Sequence, residues 1–226
     1  MTLNNSNLNI LDLKQKDYKE VWELQKLVHQ KRVENKIADT LILVEHNSVV
    51  TMGKSGKGDN LLLSFKLLAE KGIEFHKIER GGDVTYHGPG QLVGYPIFNI
   101  KQGLIGIKPF IEKLEDAIIA TLADFGVKSE KREKMIGVWT ETGKICSIGI
   151  AVKQWVCFHG FALNVNTDLQ CFDYIVPCGL KDVTMTSMQK ILHRTILLND
   201  VKDSIINNFG RLFDKITVPK CLAEII

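Results

Sequence analysis

Two spacings of apolar residues alternate along the chain. In DYKEVWELQKLVHQKRVENK (17–36), Val21, Leu24, Leu27 and Val28 recur at helical intervals and predict an amphipathic helix. TLILVEH (40–46) and SVVTMG (48–53) read as strands, and LLLSFKLLAEKG (61–72) as a helix that stops at Gly72. EFHKI is a short strand that runs straight into Arg80. LVGYPIFNI is strand-like, and KPFIEKLEDAIIATLADFG is a strongly amphipathic helix with Gly126 as its stop. GKICSIGIAV (143–152) and QWVCFHGFALNV (154–165) predict a strand pair joined by a very short turn. Leu198 to Asp214 is helical again. No internal repeat, low-complexity linker or composition shift divides the chain. The expectation is one mixed α/β (α+β) domain over 1–226, with 195–226 as a C-terminal helical segment.

One stretch breaks the alternation. RGGDVTYHGPGQLVGYP (80–96) has five glycines among seventeen residues, interleaved with Arg80, His87, Gln91 and two tyrosines. Glycine lets a ligand lie against bare main chain, at a price in chain entropy, so the run reads as a binding surface.

Composition narrows the choice of partner. The net charge of +3, from 29 basic and 26 acidic residues, is too mild for a nucleic-acid footprint and favours acidic protein partners instead. The start MTLNNSNLNILDL lacks a basic region followed by an apolar one, and no apolar run reaches the ~18 residues of a membrane span. Reduced thiols in a cytoplasmic compartment are therefore expected for Cys146, Cys157, Cys171, Cys178 and Cys221.

Several chemistries can be weighed on these residues. Gly53-Lys54-Ser55 looks like the end of a phosphate loop, but the glycine required five positions earlier is Ser48, and Val49–Thr51 read as strand. Zinc is disfavoured because there is no C-x-x-C, and Cys157 with His159 is half a site at best. Cys178 stands apart, since in IVPCGL the proline fixes the backbone before it and Gly179 permits a tight turn after it. A thiol held there, with main-chain amides close by, is arranged as a nucleophile with an oxyanion hole. Its unperturbed pKa of about 8.5 calls for a neighbouring cation or base. Lys144 is a candidate, at the start of an otherwise apolar strand; His87 and His159 are rivals for that role.

Together these segments resemble the lipoyl(octanoyl) transferases. RGGDVTYHGPGQLVGYP matches that family's R-G-G-x-x-T-[YF]-H-G-P-G-Q-L-x-x-Y-P signature. LILVEHNSVVTMGKSGK precedes it, and GVWTETGKICSIGIAV, HGFALNVNTDL and IVPCGL follow in the family's order, over roughly residues 40 to 190. The resemblance implies a fold shared with biotin-protein and lipoate-protein ligases, a mixed sheet flanked by helices. It makes Cys178 the acyl-accepting nucleophile and Lys144 the residue that lowers its pKa and shuttles protons. It also implies that Arg80, Gly81, Gly82, Asp83, Val84, Thr85, Tyr86 and His87 line the substrate site, with Ser147, Ile148 and Gly149 and with Gly160, Phe161 and Ala162. Position 146, where a small residue such as alanine is expected, is a cysteine.

The implied donor is octanoyl-acyl carrier protein. The implied acceptors are lipoyl domains of 2-oxoacid dehydrogenase complexes and the glycine-cleavage carrier protein, with no cofactor, ATP or metal. The rivals are an ATP-dependent lipoate or biotin ligase on the same fold, a non-catalytic carrier-binding module, and a thioester hydrolase using Cys178. The P-C-G turn and the complete signature argue against the first, and intact Cys178 and Lys144 against the second.

Overall fold

The computed structural model describes residues 6–56, 58–101, 106–176 and 183–226. Its strands are β1 Asn7–Lys16, β2 Asp39–His46, β3 Val49–Met52, β4 Glu74–Lys77, β5 Val84–His87, β6 Gln91–Ile97, β7 Glu130–Arg132, β8 Met135–Thr140, β9 Gly143–Lys153, β10 Val156–Asn164 and β11 Ile216–Pro219. Its helices are α1 Tyr18–Val33, α2 Phe65–Glu70, α3 Ile107–Asp124, α4 Met188–Leu192, α5 Leu198–Phe213 and α6 Leu222–Ile225. One sheet runs β11-β1-β2-β6-β10-β9-β8-β7; a smaller one runs β4-β3-β5. The large sheet is mixed: β1 pairs in parallel with β2 and β11, and the remaining pairs are antiparallel. Among the described residues no helix is long and apolar enough to cross a membrane.

The two faces of the large sheet explain the apolar spacing of the helices. On one face Phe110, Leu114 and Ile118 of α3 and Val201, Ile205 and Phe209 of α5 bury against Leu92, Phe161 and Leu163. On the other, Val21 and Val28 of α1 cover Val44, Val93 and Ala162. The opposite-facing neighbours on β10, Phe161 and Ala162, thus belong to different cores, as the two-residue period of a strand requires. A third core, with Val50, Leu68, Tyr86 and Phe172, sits beneath the small sheet.

Several elements depart from the sequence reading. The helix expected over 61–72 is only Phe65–Glu70, because the Ser64 hydroxyl accepts from Leu67 N at 3.3 Å and so starts the helix there. Leu61 instead bridges Ile175. The stretch 195–226 is not all helical, since Ile216–Pro219 forms β11 beside β1. β1 itself, and the β7–β8 hairpin, were not anticipated. The chain reaches β1 and β11 from opposite ends, and only the assembled sheet makes them strands.

Asp39, at the start of β2, ties these parts together. Its carboxylate accepts from Arg32 Nε at 2.7 Å and from Asn99 N at 3.0 Å, and pairs with Lys215 Nζ at 3.0 Å. The end of α1, the end of β6 and the approach to β11 therefore share one buried anion. Removing one partner of a buried pair strands the other charges, at about 3–5 kcal/mol. Asp39→Ala should lose stability of that order in a urea titration followed by circular dichroism.

Candidate active site

The cleft begins with three adjacent strands. Ala162 of β10 lies opposite Val93 of β6 and Ser147 of β9, and Gly160 lies opposite Gly149. Against this floor lies the loop Arg80–Asp83. Gly81 N donates to Ile150 O at 2.9 Å. A Cβ at Gly149 would stand 2.9 Å from Gly81 O, so only glycine lets the loop approach this closely. Gly82 takes the left-handed region at φ 83°, which turns the loop into β5.

Arg80 fastens the loop from the other side. Its buried guanidinium donates through Nη2 to Thr51 O at 2.7 Å and Thr51 Oγ1 at 3.0 Å, and through Nη1 to Gly81 O at 3.1 Å. Asn60 Nδ2 donates to the Asp83 carboxylate. The result is an open cleft with about 50 Å³ of interior space. It is lined by 80–85 and His87, by Ser147–Gly149, by Gly160–Ala162, and by Tyr18, Val93, Tyr95 and His159. Of the positions expected to meet substrate, Tyr86 alone does not line it. Its hydroxyl lies 3.0 Å from Ser48 Oγ and its ring packs edge-on against Phe172, on the far side of β5.

Behind the wall runs a chain of buried polar groups. His87 Nδ1 donates to Gln91 Oε1 at 2.8 Å, Gln91 Nε2 donates to Asn164 Oδ1 at 2.9 Å, and Asn164 Nδ2 donates to Thr186 O at 3.0 Å. Each amide has its orientation set by its neighbour. Burial lowers the His87 pKa to about 3, helped by nearby His46, and lowers His46 to about 4. Both rings are therefore neutral. His46 donates from Nδ1 to Lys16 O at 3.0 Å, which leaves Nε2 to accept from the Tyr95 hydroxyl at 2.7 Å.

Lys144 lies where this chain ends. It is 2% exposed, and its Nζ donates to Ile136 O at 3.0 Å and sits 5.2 Å from the Trp139 ring centre. Its backbone is paired on both sides: Lys144 N donates to Thr184 O, and Thr186 N to Lys144 O, each at 2.9 Å. Gly137, at φ 126°, makes room for the stem, since a Cβ there would stand 2.6 Å from Lys144 Cε. Cys178 lies outside the described residues. The flanks of 177–182 are both anchored: Val183 leads into the Thr184–Thr186 pairing with Lys144, while Val176 N donates to Asn60 O at 2.8 Å, and Asn60 holds Asp83.

Comparison with known proteins agrees with this architecture. The family model of the lipoyl protein ligase A/B catalytic domain matches residues 17–210. An octanoyltransferase of Caldicellulosiruptor bescii is 46% identical over 210 residues, covering 92% of each chain. The chain belongs to the octanoyltransferase family. It is an acyltransferase of that type, with the fold of the lipoate and biotin protein ligases. A bipartite lipoate protein ligase from Thermoplasma acidophilum, 14% identical, superposes with a TM-score of 0.72 over 97% of this chain and 88% of that one. A variant of the biotin protein ligase from Aquifex aeolicus with bound biotin, also 14% identical, has a TM-score of 0.53 over 91% and 70%.

Within this octanoyltransferase fold, Cys146 is a poor nucleophile. It is fully buried, and burial pushes its thiol up to about 12 although the Lys144 charge acts the other way. Cys157 is likewise buried, with Sγ donating to Pro96 O at 3.1 Å. Cleft residues not named individually in the sequence reading are Tyr18 of α1, which no local motif marks, and Val93 and Tyr95 of β6, which lie within the 80–96 signature. On a regular strand His159 would face the same way as Cys157. Its left-handed backbone, φ 57°, instead turns the ring into the cleft while Cys157 packs in the opposite core.

Two outcomes follow from the titration behaviour. Iodoacetamide at neutral pH should leave Cys146 unmodified in the folded protein and label it in denaturant, while exposed Cys221 reacts in both; peptide mass spectrometry reads this. His46 and His87 bind protons near pH 6.5 when unfolded but only near pH 4 and 3 when folded. The unfolded state thus binds more protons below pH 6.5, and stability falls with pH by about 1.4 kcal/mol per unit per histidine. Urea midpoints between pH 6.5 and 5 should decline accordingly, less steeply in His87→Gln.

Proposed function

We propose that this octanoyltransferase takes an octanoyl group from acyl carrier protein onto Cys178 and passes it to the lysine ε-amine of a lipoyl carrier domain. One observation carries the reading. The described residues that flank 177–182 lie at the site: Val176 N donates to Asn60 O, and Asn60 holds the Asp83 wall of the cleft, while Thr184 and Thr186 pair with Lys144. That supports a nucleophile at Cys178 with Lys144 as its base.

The chemistry follows in two displacements. The Cys178 thiolate attacks the donor thioester carbonyl, the C–S bond to the carrier breaks, and the departing thiolate takes a proton from Lys144. This exchanges one thioester for another at little free-energy difference. The acceptor amine then attacks the acyl-enzyme carbonyl, the bond to Cys178 breaks, and Lys144 recovers a proton from the amine as the amide forms. The buried stem of Lys144, whose Nζ donates to Ile136 O, suits a lysine that gives up and regains a proton. Burying the alkyl chain in the cleft offers on the order of 5 kcal/mol, at ~0.8 per methylene. The lipoyl domains of 2-oxoacid dehydrogenase complexes and the glycine-cleavage carrier protein are the proposed acceptors, and the mild positive charge favours such partners if they are acidic.

Incubation with octanoyl-acyl carrier protein, without ATP, should add one hydroxylamine-labile octanoyl group to Cys178, which a lipoyl domain then discharges. Lys144→Gln should lower the transfer rate by about 10²–10⁴-fold. Transfer that appears only with free octanoate and ATP would replace this reading by that of a ligase, and an adduct mapped to Cys146 would move the nucleophile.

A further inference from the structure

Ser147 and His159 mark two ends of the cleft. His159 pairs across the hairpin with Ile150, which is about 10 Å along β9 from Ser147 at ~3.3 Å per residue. At that far end the lining changes character. The floor near Ser147 and Ala162 is made of small residues, whereas beyond Gly160 it meets His159 and Tyr18 of α1, with Glu79 behind the imidazole. Glu79 Oε2 lies 3.7 Å from His159 Nε2, and Trp22 Nε1 donates to both Glu79 oxygens at 3.2–3.3 Å.

His159 is held there against its own preference. A left-handed backbone at φ 57° is costly for a non-glycine residue and persists where surrounding contacts impose it. Here the buried Gln25 side chain of α1 does so, accepting from His159 N at 2.9 Å. The ring is 2% exposed, lines the cleft, and its Nε2 has no hydrogen-bond partner. Burial lowers the His159 pKa, with the Glu79 charge opposing; the Glu79 pKa is lowered to about 2, because nearby His159 and the Trp22 N–H outweigh its own partial burial, so the carboxylate is ionised.

We propose that His159, backed by Glu79, is the end stop of the acyl cleft and sets the length of chain the enzyme transfers. This rests on the octanoyl-transfer reading of the same cleft and goes beyond it by assigning chain-length selectivity to two residues. An alkyl chain entering from the Lys144 side runs over Ala162 and Gly160 and ends at the imidazole. A longer chain has to push the ring aside and lay methylenes against an ionised carboxylate, stripping it of water without a replacement partner. On β10 the residues that alternate onto this face up to that point are Ala162 and Gly160, which are too small to impose an earlier limit.

The test compares kcat/KM for octanoyl- and dodecanoyl-acyl carrier protein in the wild type and in two variants. His159→Gly removes the ring and relieves the left-handed backbone; Glu79→Leu removes the charge at a site 30% exposed, and serves if the first variant fails to fold. The wild type should prefer octanoyl, and the preference should shift toward dodecanoyl by at least about tenfold in His159→Gly, since a single methylene is worth ~10-fold or more in a closed pocket. Glu79→Leu should shift it in the same direction. A purely structural role would slow both substrates alike and leave the ratio unchanged, which overturns the proposal, as would a wild type that uses dodecanoyl equally well. Calorimetric binding of free octanoate and dodecanoate gives the same comparison without chemistry. If the wild type binds octanoate selectively, and that selectivity relaxes in the variants, while no octanoyl transfer occurs, the transfer reading fails and the end stop stands.

Discussion

The structure depends on one close approach of main chain to main chain. The loop Arg80–Gly82 is the joint between the two sheets, bonded to the large one through Gly81 N and Ile150 O and to the small one through Arg80 and Thr51. Lys54 N to Arg80 O and Ser55 N to Gly82 O, at 3.0 and 3.1 Å, close it against the turn after β3. Gly149 and Gly82 make the approach sterically feasible. Gly53 has the same duty, since a Cβ there would lie 2.4 Å from Gly82 O. With side chains at these positions the sheets would separate, and the cleft between them would lose a wall.

Charge around this joint is handled by neutralisation rather than by pairing. His46 and His87 are buried as neutral rings whose tautomers are dictated by fixed acceptors, Lys16 O and Gln91 Oε1. Tyr18 stacks on His87 at 5.9 Å and closes the same end of the cleft. Such an arrangement keeps the cleft hospitable to an apolar chain although many of the side chains behind it are polar. The full charges lie at its edges: Arg80 bonded into the joint, Glu79 at the far end, and Lys144 beside the returning chain. A substrate whose reactive end is polar and whose tail is not fits that distribution.

The contrast between the cysteines is also a matter of surroundings. Cys146 shares its strand with Lys144, and the lysine charge does act on it, yet desolvation is larger and the thiol stays protonated. Proximity to a lysine is thus insufficient to activate a thiol. A nucleophile also needs enough polar contact to stabilise the thiolate, which a turn bordered by free main-chain amides supplies better than the middle of a sheet.

Much of the fold was legible in the chain because its cause is local. The spacing of Val21, Leu24 and Val28, the β9–β10 pair and the stops at Gly72 and Gly126 all act within a few residues, so periodicity and turn chemistry were sufficient. The site segments were legible for a different reason, namely the match of 80–96, 147–149 and 160–162 to a recognised signature. Tertiary structure alone decided the rest. β1 and β11 become strands only beside each other and β2, and the helix expected from 61 begins at 65 because Leu61 is recruited to Ile175. Tyr18 and Tyr95 reach the cleft because α1 and β6 pack there, and strand alternation misplaces His159 because Gln25, 134 residues away, holds its backbone left-handed. Sequence periodicity records which face a residue prefers; contacts between distant segments decide which face it is given.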